Sequence, residues 1–360
     1  MKYLFIVQGD GRGHMTQAIT LSDILQRNGH EVVEVLVGKS KEREIPPFFV
    51  KKVNARVRTF ETPSLVLKKN KKNLHLTKTL LYNVSPKRLK IYAKSIAMLH
   101  ERIKVLKPDA VINFYEMLVG FTHLRYNLKT PIIAIGHQYL LRHPDFKFAE
   151  KESKKTFIVR LQTLLCNIGA VKSLGLSFYP MKDSIPQHLA VVPPLIRKEV
   201  RDMKPVCKDY ILGYMVNQGY EKEVRQWHTK NPNTELHIFW DKKDASATHK
   251  VDETLSFHTL DDEKFLLYMS QCKGYITTAG FESVCEAMYL DKPIMMIPVH
   301  IEQEINAADA ASVNAGIIGD SFNISLLMDS LKTRTFDNQA FKKWVDSAEE
   351  VFVRHLTTFV

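Results

Sequence analysis

The chain has 360 residues, 45% hydrophobic and 25% charged, with a formal net charge of +12. It is long enough for two ordinary domains and too apolar for disorder. Its four cysteines, Cys166, Cys207, Cys272 and Cys285, share no CxxC or other ligand spacing, which excludes a disulfide scaffold or a cysteine metal centre. No uninterrupted apolar stretch approaches the length of a bilayer-spanning helix.

In chain order, "KYLFIV" reads as a buried strand, and its apolar run is too short for a signal segment. The loop "QGDGRGH" follows, with Gly9, Gly11 and Gly13, and a helix is expected from Met15 to Asn28. This loop is not the dinucleotide fingerprint GxGxxG, because His14 stands where the last glycine belongs and no acidic residue closes the next strand, "HEVVEVLVG". Glycines admit a close approach of the backbone to a ligand. A histidine at a helix N-terminus is biased toward its neutral form, which suits a general base. The competing reading is a tight turn whose histidine caps or packs.

From Lys39 to Lys107 there are 19 Lys and Arg against 4 Glu and no Asp, a local charge of +15. The remainder is near neutral, which points to an anionic partner at this region, a solvated lysine-rich face being the evenly weighted alternative. "LVLKKNKKNLHL" pairs leucines with Lys68, Lys69, Lys71 and Lys72, a pattern that docks on anionic membrane surfaces. Ser85–Pro86 starts a helix whose Leu89, Tyr92, Ile96, Leu99, Ile103 and Leu106 recur at three- and four-residue steps. That stripe is expected to pack on a sheet.

The strands "DAVINF", "TPIIAIGH" and "GLSFYP" continue the alternation of strand and helix, and place Glu116 and His137 in loops after strands. A second series runs through "DYILGYM", "TELHIFW", "ETLSFHTL", "KGYITTAG" and "KPIMMIPV". The pattern is that of βαβ units and predicts an α/β chain of two doubly wound, Rossmann-like domains facing a central cleft. We place an N-terminal domain at 1–190, a Pro-marked connection at 191–202 and a C-terminal domain at 203–335. A helical segment, 336–360, is expected to pack back toward the first domain. Ligands of such sheets lie beyond the carboxyl ends of the strands, so the loops at Asn217, Phe257–Leu260, Thr277–Ser283 and His300–Asn306 are where binding is expected.

The stretch Thr277–Ala307 is the most informative. After "GYI", Thr278, Ala279 and Gly280 lead into a helix near Phe281, and free N–H groups at a helix start attract an anion. Gly280 permits close approach, Thr278 and Ser283 offer hydroxyl donors, and Glu286 one turn in suits a vicinal diol such as ribose. Glu302–Gln303 opens the next helix with two groups suited to sugar hydroxyls.

Here the sequence resembles the inverting nucleotide-sugar glycosyltransferases of the GT-B fold, the group of the UDP-dependent natural-product enzymes and the peptidoglycan-lipid N-acetylglucosaminyltransferase MurG. Their donor signature, roughly H-C-G-W-N-S-x-x-E followed by E-Q or D-Q and N-A, is in register with Thr278, Ala279, Gly280, Phe281, Glu282, Ser283, Glu286, Glu302–Gln303 and Asn306–Ala307. "GDGRGH" resembles the loop that opens such chains. Two residues depart from the pattern: Thr278 replaces a histidine that binds diphosphate in the family, and Glu282 replaces an asparagine.

The resemblance implies a hexosyl- or N-acetylhexosaminyltransferase that uses a UDP-sugar, or another nucleoside-diphosphate sugar, as co-substrate and needs no further cofactor. Asn217, Phe257 and Leu260 then border the nucleotide, with core packing the competing, and commoner, fate of the Phe257 and Leu260 side chains. The E-x7-E pair of retaining relatives is missing, since Thr278 precedes Glu286 by eight, and no Asp-x-Asp motif occurs. Inversion without a metal follows, with His14 as first choice of base and Glu116 or His137 as alternatives, a helix-start carboxylate and a loop residue being their equally weighted competing readings. The acceptor is expected to be a glycan, glycolipid or small molecule, with a cell-envelope glycan and a peripheral position on the inner face of the cytoplasmic membrane as the corresponding location. Nucleic acid is not expected. An enzyme like UDP-GlcNAc 2-epimerase and a non-catalytic nucleotide-sugar-binding protein are the competing readings.

Overall fold

The computed structural model describes residues 1–41, 43–63, 76–148, 154–215, 218–242 and 246–358. These fall into two compact units. One runs from Met1 to Arg197 and takes in the C-terminal residues from Trp344; the other spans Lys198–Lys343.

In the first unit, β1 (Lys2–Gln8) is followed by α1 (Gly13–Arg27), β2 (Glu31–Lys39), α2 (Pro47–Lys52), β3 (Val57–Glu61), α3 (Leu76–Asn83) and α4 (Pro86–Leu106). Then come β4 (Ala110–Phe114), α5 (Met117–Tyr126), β5 (Ile132–Gly136), α6 (Lys154–Asn167), β6 (Ala170–Leu176) and β7 (Leu189–Val192). The strands form one parallel sheet in the order β3-β2-β1-β4-β5-β6-β7. Right-handed crossovers put α3 to α6 on one face and α1 and α2 on the other. Covered on both faces, the central strands are almost wholly buried, which is why they read as unbroken apolar runs.

The core beneath α4 and α5 joins Leu4, Ile6, Leu36 and Val111 to Tyr92, Leu99, Ile103, Leu118 and Val119. Each such side chain contributes about 2 kcal/mol when fully buried. The α4 stripe is thus real over Tyr92, Leu99 and Ile103, but Leu89 lies outside it, 53% exposed. Three of the basic side chains here are tied to carboxylates. Glu34 of β2, 1% exposed, accepts from Arg58 Nε at 2.6 Å and Arg102 Nε at 2.7 Å, and Arg88 pairs with Glu61 at 2.8 Å. Lys68, Lys69, Lys71 and Lys72 lie outside the described residues.

The second unit opens with α7 (Lys198–Asp202), β8 (Tyr210–Met215), α8 (Glu221–Lys230), β9 (Glu235–Trp240), β10 (Thr248–Lys250) and β11 (Leu255–Thr259). It continues with α9 (Asp262–Gln271), β12 (Gly274–Thr277), α10 (Phe281–Tyr289), β13 (Ile294–Met296), α11 (Ile301–Ser312), β14 (Gly316–Ile318) and α12 (Ile324–Thr333). Its sheet order is β10-β11-β9-β8-β12-β13-β14, parallel except for the edge strand β10. Its own core gathers Ile211, Leu236, Ile238, Trp240, Phe257, Ile276, Phe322 and Leu327.

The chain ends with α13 (Gln339–Asp346) and α14 (Ala348–Thr357). Within the first unit α14 packs on α1 and β7, and the Trp344 indole donates to Ser177 O at 3.0 Å. Part of the stretch expected as a connection is strand, since β7 crosses residue 190. Among the described residues no helix is long and apolar enough to cross a membrane.

Candidate active site

Each sheet reverses its winding at one point, between β1 and β4 in the first unit and between β8 and β12 in the second. The loops that leave these strands diverge and open a crevice at the carboxyl edge. The predicted residues divide between the two crevices.

In the first unit, the backbone at Gly9 comes so close to β2 that a Cβ there would lie 2.5 Å from Val37 Cγ1, so this glycine serves packing. A Cβ at Gly11 would meet no atom within 4 Å. Gly13 begins α1 and His14 stands in its first turn, half-buried. The imidazole Nδ1–H donates to Gln17 Oε1 at 3.1 Å, and the ring stacks on Tyr115 at 5.7 Å between centroids. Tyr115 holds a left-handed backbone, φ 60°, a conformation that costs a non-glycine residue about 1 kcal/mol. It is held there by its neighbours: Tyr115 OH lies 2.9 Å from Thr163 Oγ1, and its carbonyl accepts from the Cys166 thiol. Tyr115 and Gln17 were not singled out from the sequence; an aromatic between a strand and an N-cap carries no signature of its own.

Glu116, next in the chain to Tyr115, does different work. Its Oε1 accepts from Leu118 N–H at 3.0 Å, capping α5, and from Thr62 Oγ1 at 2.6 Å. Its Oε2 is buried with no hydrogen-bond partner, and the space it occupies exists because residue 38 is glycine. Burial pushes the carboxyl up to about 7, against the two hydrogen bonds, which lower it. A carboxyl sealed in this way is a cap, poorly placed to take a proton from an acceptor. His137 is enclosed among aromatic rings. It starts the turn after β5 as a 3% exposed imidazole between Phe146 and Phe178, with its Nδ1–H donating to Leu176 O at 2.7 Å. Apolar burial makes it a core residue.

In the second unit, Thr278, Ala279 and Gly280 join β12 to α10. Thr278 is fully buried and its hydroxyl has no hydrogen-bond partner. Ala279 is left-handed, φ 56°, and its carbonyl accepts from Asn306 Nδ2 at 3.4 Å. Gly280 is the N-cap and offers no side chain to the helix start. Its φ of −67° is ordinary, and an added Cβ would meet only Ser283 Oγ, at 3.7 Å. Nothing among the described residues therefore requires glycine at 280. Ser283 donates to Gly280 O at 3.2 Å, and Phe281 and Glu286 are buried on α10. Glu282 and Glu286 are joined by Asp309 of α11, a fully buried carboxylate not anticipated from the sequence. Burial first, then these three charges, hold the Cys285 thiol well above its usual range.

Gln303 is partly committed, since its Oε1 accepts from Val299 N–H at 3.0 Å; Glu302 is half-buried beside it. Phe257 is fully buried and stacked on Trp240 at 4.4 Å, with its backbone in the ladder between β9 and β10. Its side chain belongs to the core. Leu260, half-buried, follows β11 in a loop held at both ends. Asp261 caps α9 by accepting from Lys264 N–H at 2.8 Å, and Lys264 Nζ donates to His258 Nδ1 at 3.0 Å. Asn217 lies outside the described residues. Among those described, no group of three or more His, Cys, Asp or Glu could hold a metal ion.

The family model for glycosyl transferase family 1 matches residues 1–333. No curated protein matches the sequence. Among solved structures, the chain is similar to Phytolacca americana UGT2 complexed with UDP-2-fluoro-glucose and pterostilbene, at 10% identity and TM-score 0.64, over 99% of each chain. It is similar to Acinetobacter baumannii MurG at 17% identity and TM-score 0.55, again over 99% of each chain. The spinosyn rhamnosyltransferase SpnG complexed with thymidine diphosphate aligns over 99% of this chain and 100% of its own, at 13% identity and TM-score 0.60. Likeness at these identities shows the fold.

Proposed function

Because the chain belongs to glycosyl transferase family 1, and is a glycosyltransferase of GT-B architecture, we propose that it is an inverting enzyme. In this reading it moves a hexosyl or N-acetylhexosaminyl group from a UDP-sugar, or a related nucleoside-diphosphate sugar, to an acceptor hydroxyl on a lipid or lipid-linked glycan.

The observation that carries the donor site is the start of α10. Gly280 has an ordinary φ and open space at its Cβ position, so the described residues around it do not explain it. A diphosphate approaching the N–H groups of Phe281 to Ser283 does. The uncapped helix start and the unpartnered Thr278 hydroxyl support the same reading. The leaving diphosphate gains stabilisation from N–H groups and the helix dipole, a role a cation plays elsewhere. Glu286 binds the ribose diol. His14, oriented through Nδ1 by Gln17, takes the proton of the acceptor hydroxyl as that oxygen attacks the anomeric carbon and the nucleoside diphosphate leaves.

Thermal unfolding with UDP, UDP-GlcNAc, UDP-Glc, UDP-Gal and dTDP tests the donor site. At least one of them should raise the melting temperature, because a ligand of the native state stabilises it by mass action. Glu286→Ala should abolish that rise. Gly280→Ala should leave the ligand-free melting temperature within about 2 °C of wild type, yet weaken the ligand's effect. The donor site is wrong if no nucleotide shifts the wild type, or if Gly280→Ala binds as the wild type does.

A further inference from the structure

Of the four cysteines, Cys207 is exposed, while Cys166, Cys272 and Cys285 are buried. Cys207 stands between α7 and β8, in a segment that belongs to no helix or strand. Cys272 ends α9, two residues before β12. Both cysteines therefore lie at the amino edge of the second unit's sheet, the edge opposite to the proposed donor site.

Hydrogen bonds hold these two stretches together. On either side of Cys207, Val206 N–H donates to Ser270 O at 3.0 Å and Lys208 N–H to Gln271 O at 2.8 Å. The Lys292 ammonium, on a residue 4% exposed, clasps the same place: it donates to Val206 O at 2.6 Å and to Cys272 O at 3.1 Å. The path from Cys207 Cα through Lys208 N–H and Gln271 O to Cys272 Cα keeps the two Cα atoms within about 8 Å. A disulfide joins Cα atoms about 4.4–6.8 Å apart. The segment that carries Cys207, bound by no ladder, supplies the remaining movement.

The chemistry of the two thiols is complementary. Burial pushes the Cys272 thiol up to about 12, the Lys292 cation pulls it down, and a charge on Cys207 pushes it up again. Its S–H donates to Met269 O at 3.3 Å, so it stays a thiol until another sulfur reaches it. Cys207, open to water, is the sulfur that an oxidant meets first.

We propose that Cys207 and Cys272 are a reversible redox pair, oxidised by a hydroperoxide to a disulfide that ties the entry of β8 to the end of α9. The Cys207 thiolate attacks a peroxide oxygen, the O–O bond breaks, hydroxide leaves, and Cys207 becomes a sulfenic acid. The Cys272 sulfur then attacks Cys207 Sγ; the S–O bond breaks, and the Cys272 proton leaves with the hydroxide as water. Two thiols and one hydrogen peroxide give one disulfide and two waters, the thiols losing the two electrons that the peroxide gains. Lys292 stabilises the Cys272 thiolate as it forms. The pair is independent of the transfer reaction above, and its test needs no donor.

The full chain is treated with about ten equivalents of hydrogen peroxide, then mapped as peptides by mass spectrometry without reductant. A peptide linking Cys207 to Cys272 is expected, with an intact mass lower by about 2 Da, and dithiothreitol should reverse both. Because the link closes a long loop, the linked chain should melt several degrees higher than the reduced one. Cys207→Ser should form no link. Cys272→Ser should leave Cys207 as a sulfenic acid that dimedone captures. The proposal is overturned if no linked peptide forms in the wild type, whether the thiols stay free or Cys207 goes on to a sulfonic acid. It is also overturned if Cys207 links to Cys166, to Cys285 or to a second chain, or if the linked chain melts no higher than the reduced one.

Discussion

Glu116 shows how a residue can keep its predicted place and change its task. Its carboxyl is raised to about 7 from an ordinary 4.5, by burial above all. The folded protein therefore holds this proton in a range where the unfolded chain has released it. The raised group costs nothing below pH 4.5, and its cost grows as pH rises to 7 and is complete above it. The shift corresponds to about 3 kcal/mol, an upper figure since local relaxation reduces it. Glu116→Gln keeps an oxygen for Thr62 and Leu118 and removes the titration. Its melting temperature should match wild type near pH 4.5 and exceed it by several degrees at pH 8, read by circular dichroism across that range; a constant difference at all pH values would mean that Glu116 is ionised in the fold. At this scale the sequence was most legible for position, as with Gly280, expected and found at a helix start. It was least legible for His137 and Phe257, because burial is set by distant neighbours, Phe146 and Phe178 for one and Trp240 for the other.

Among the elements, long strands buried on both faces announced themselves as apolar runs: β1, β4 and β5 are almost continuous in Val, Ile, Leu and Phe. Short or marginal strands did not. β3 ("VRTFE") and β10 ("THK") are edge strands with charged residues, and β7 hides before Pro193 in a stretch whose prolines suggest a connection. Within the basic run, sequence cannot tell an arginine that faces a partner from one that reaches Glu34. That carboxylate ties β2, β3 and α4 together through Arg58 and Arg102. Glu34→Gln would leave two guanidinium groups around a neutral amide. The loss should be roughly 3 kcal/mol, the low end for a broken buried pair because both arginines retain contact with water. Urea unfolding of Glu34→Gln gives the value; a change under about 0.5 kcal/mol would place the pair among surface bridges of little worth.

For the molecule as a whole, the division of the chain governs how a ligand acts. Each unit owns a complete sheet and core, and the proposed donor residues lie within the second unit alone. Mass action stabilises only what unfolds with the ligand's site, by about 2.7 kcal/mol at a ligand concentration one hundred times Kd. The three tryptophans separate the units: Trp227 and Trp240 belong to the second, Trp344 to the first. In Trp344→Phe, fluorescence follows the second unit, while far-ultraviolet circular dichroism follows both. With the nucleotide that shifts the wild type, the fluorescence transition should move upward, and circular dichroism should resolve a second step that stays in place. Losing the Trp344 indole bond to Ser177 lowers the first unit by about 1 kcal/mol, which widens the gap between the steps. If both signals move together by the same amount, the units unfold as one cooperative body. If circular dichroism moves and fluorescence does not, the nucleotide binds the first unit, and the assignment of Thr278 to Glu286 as donor site falls with it.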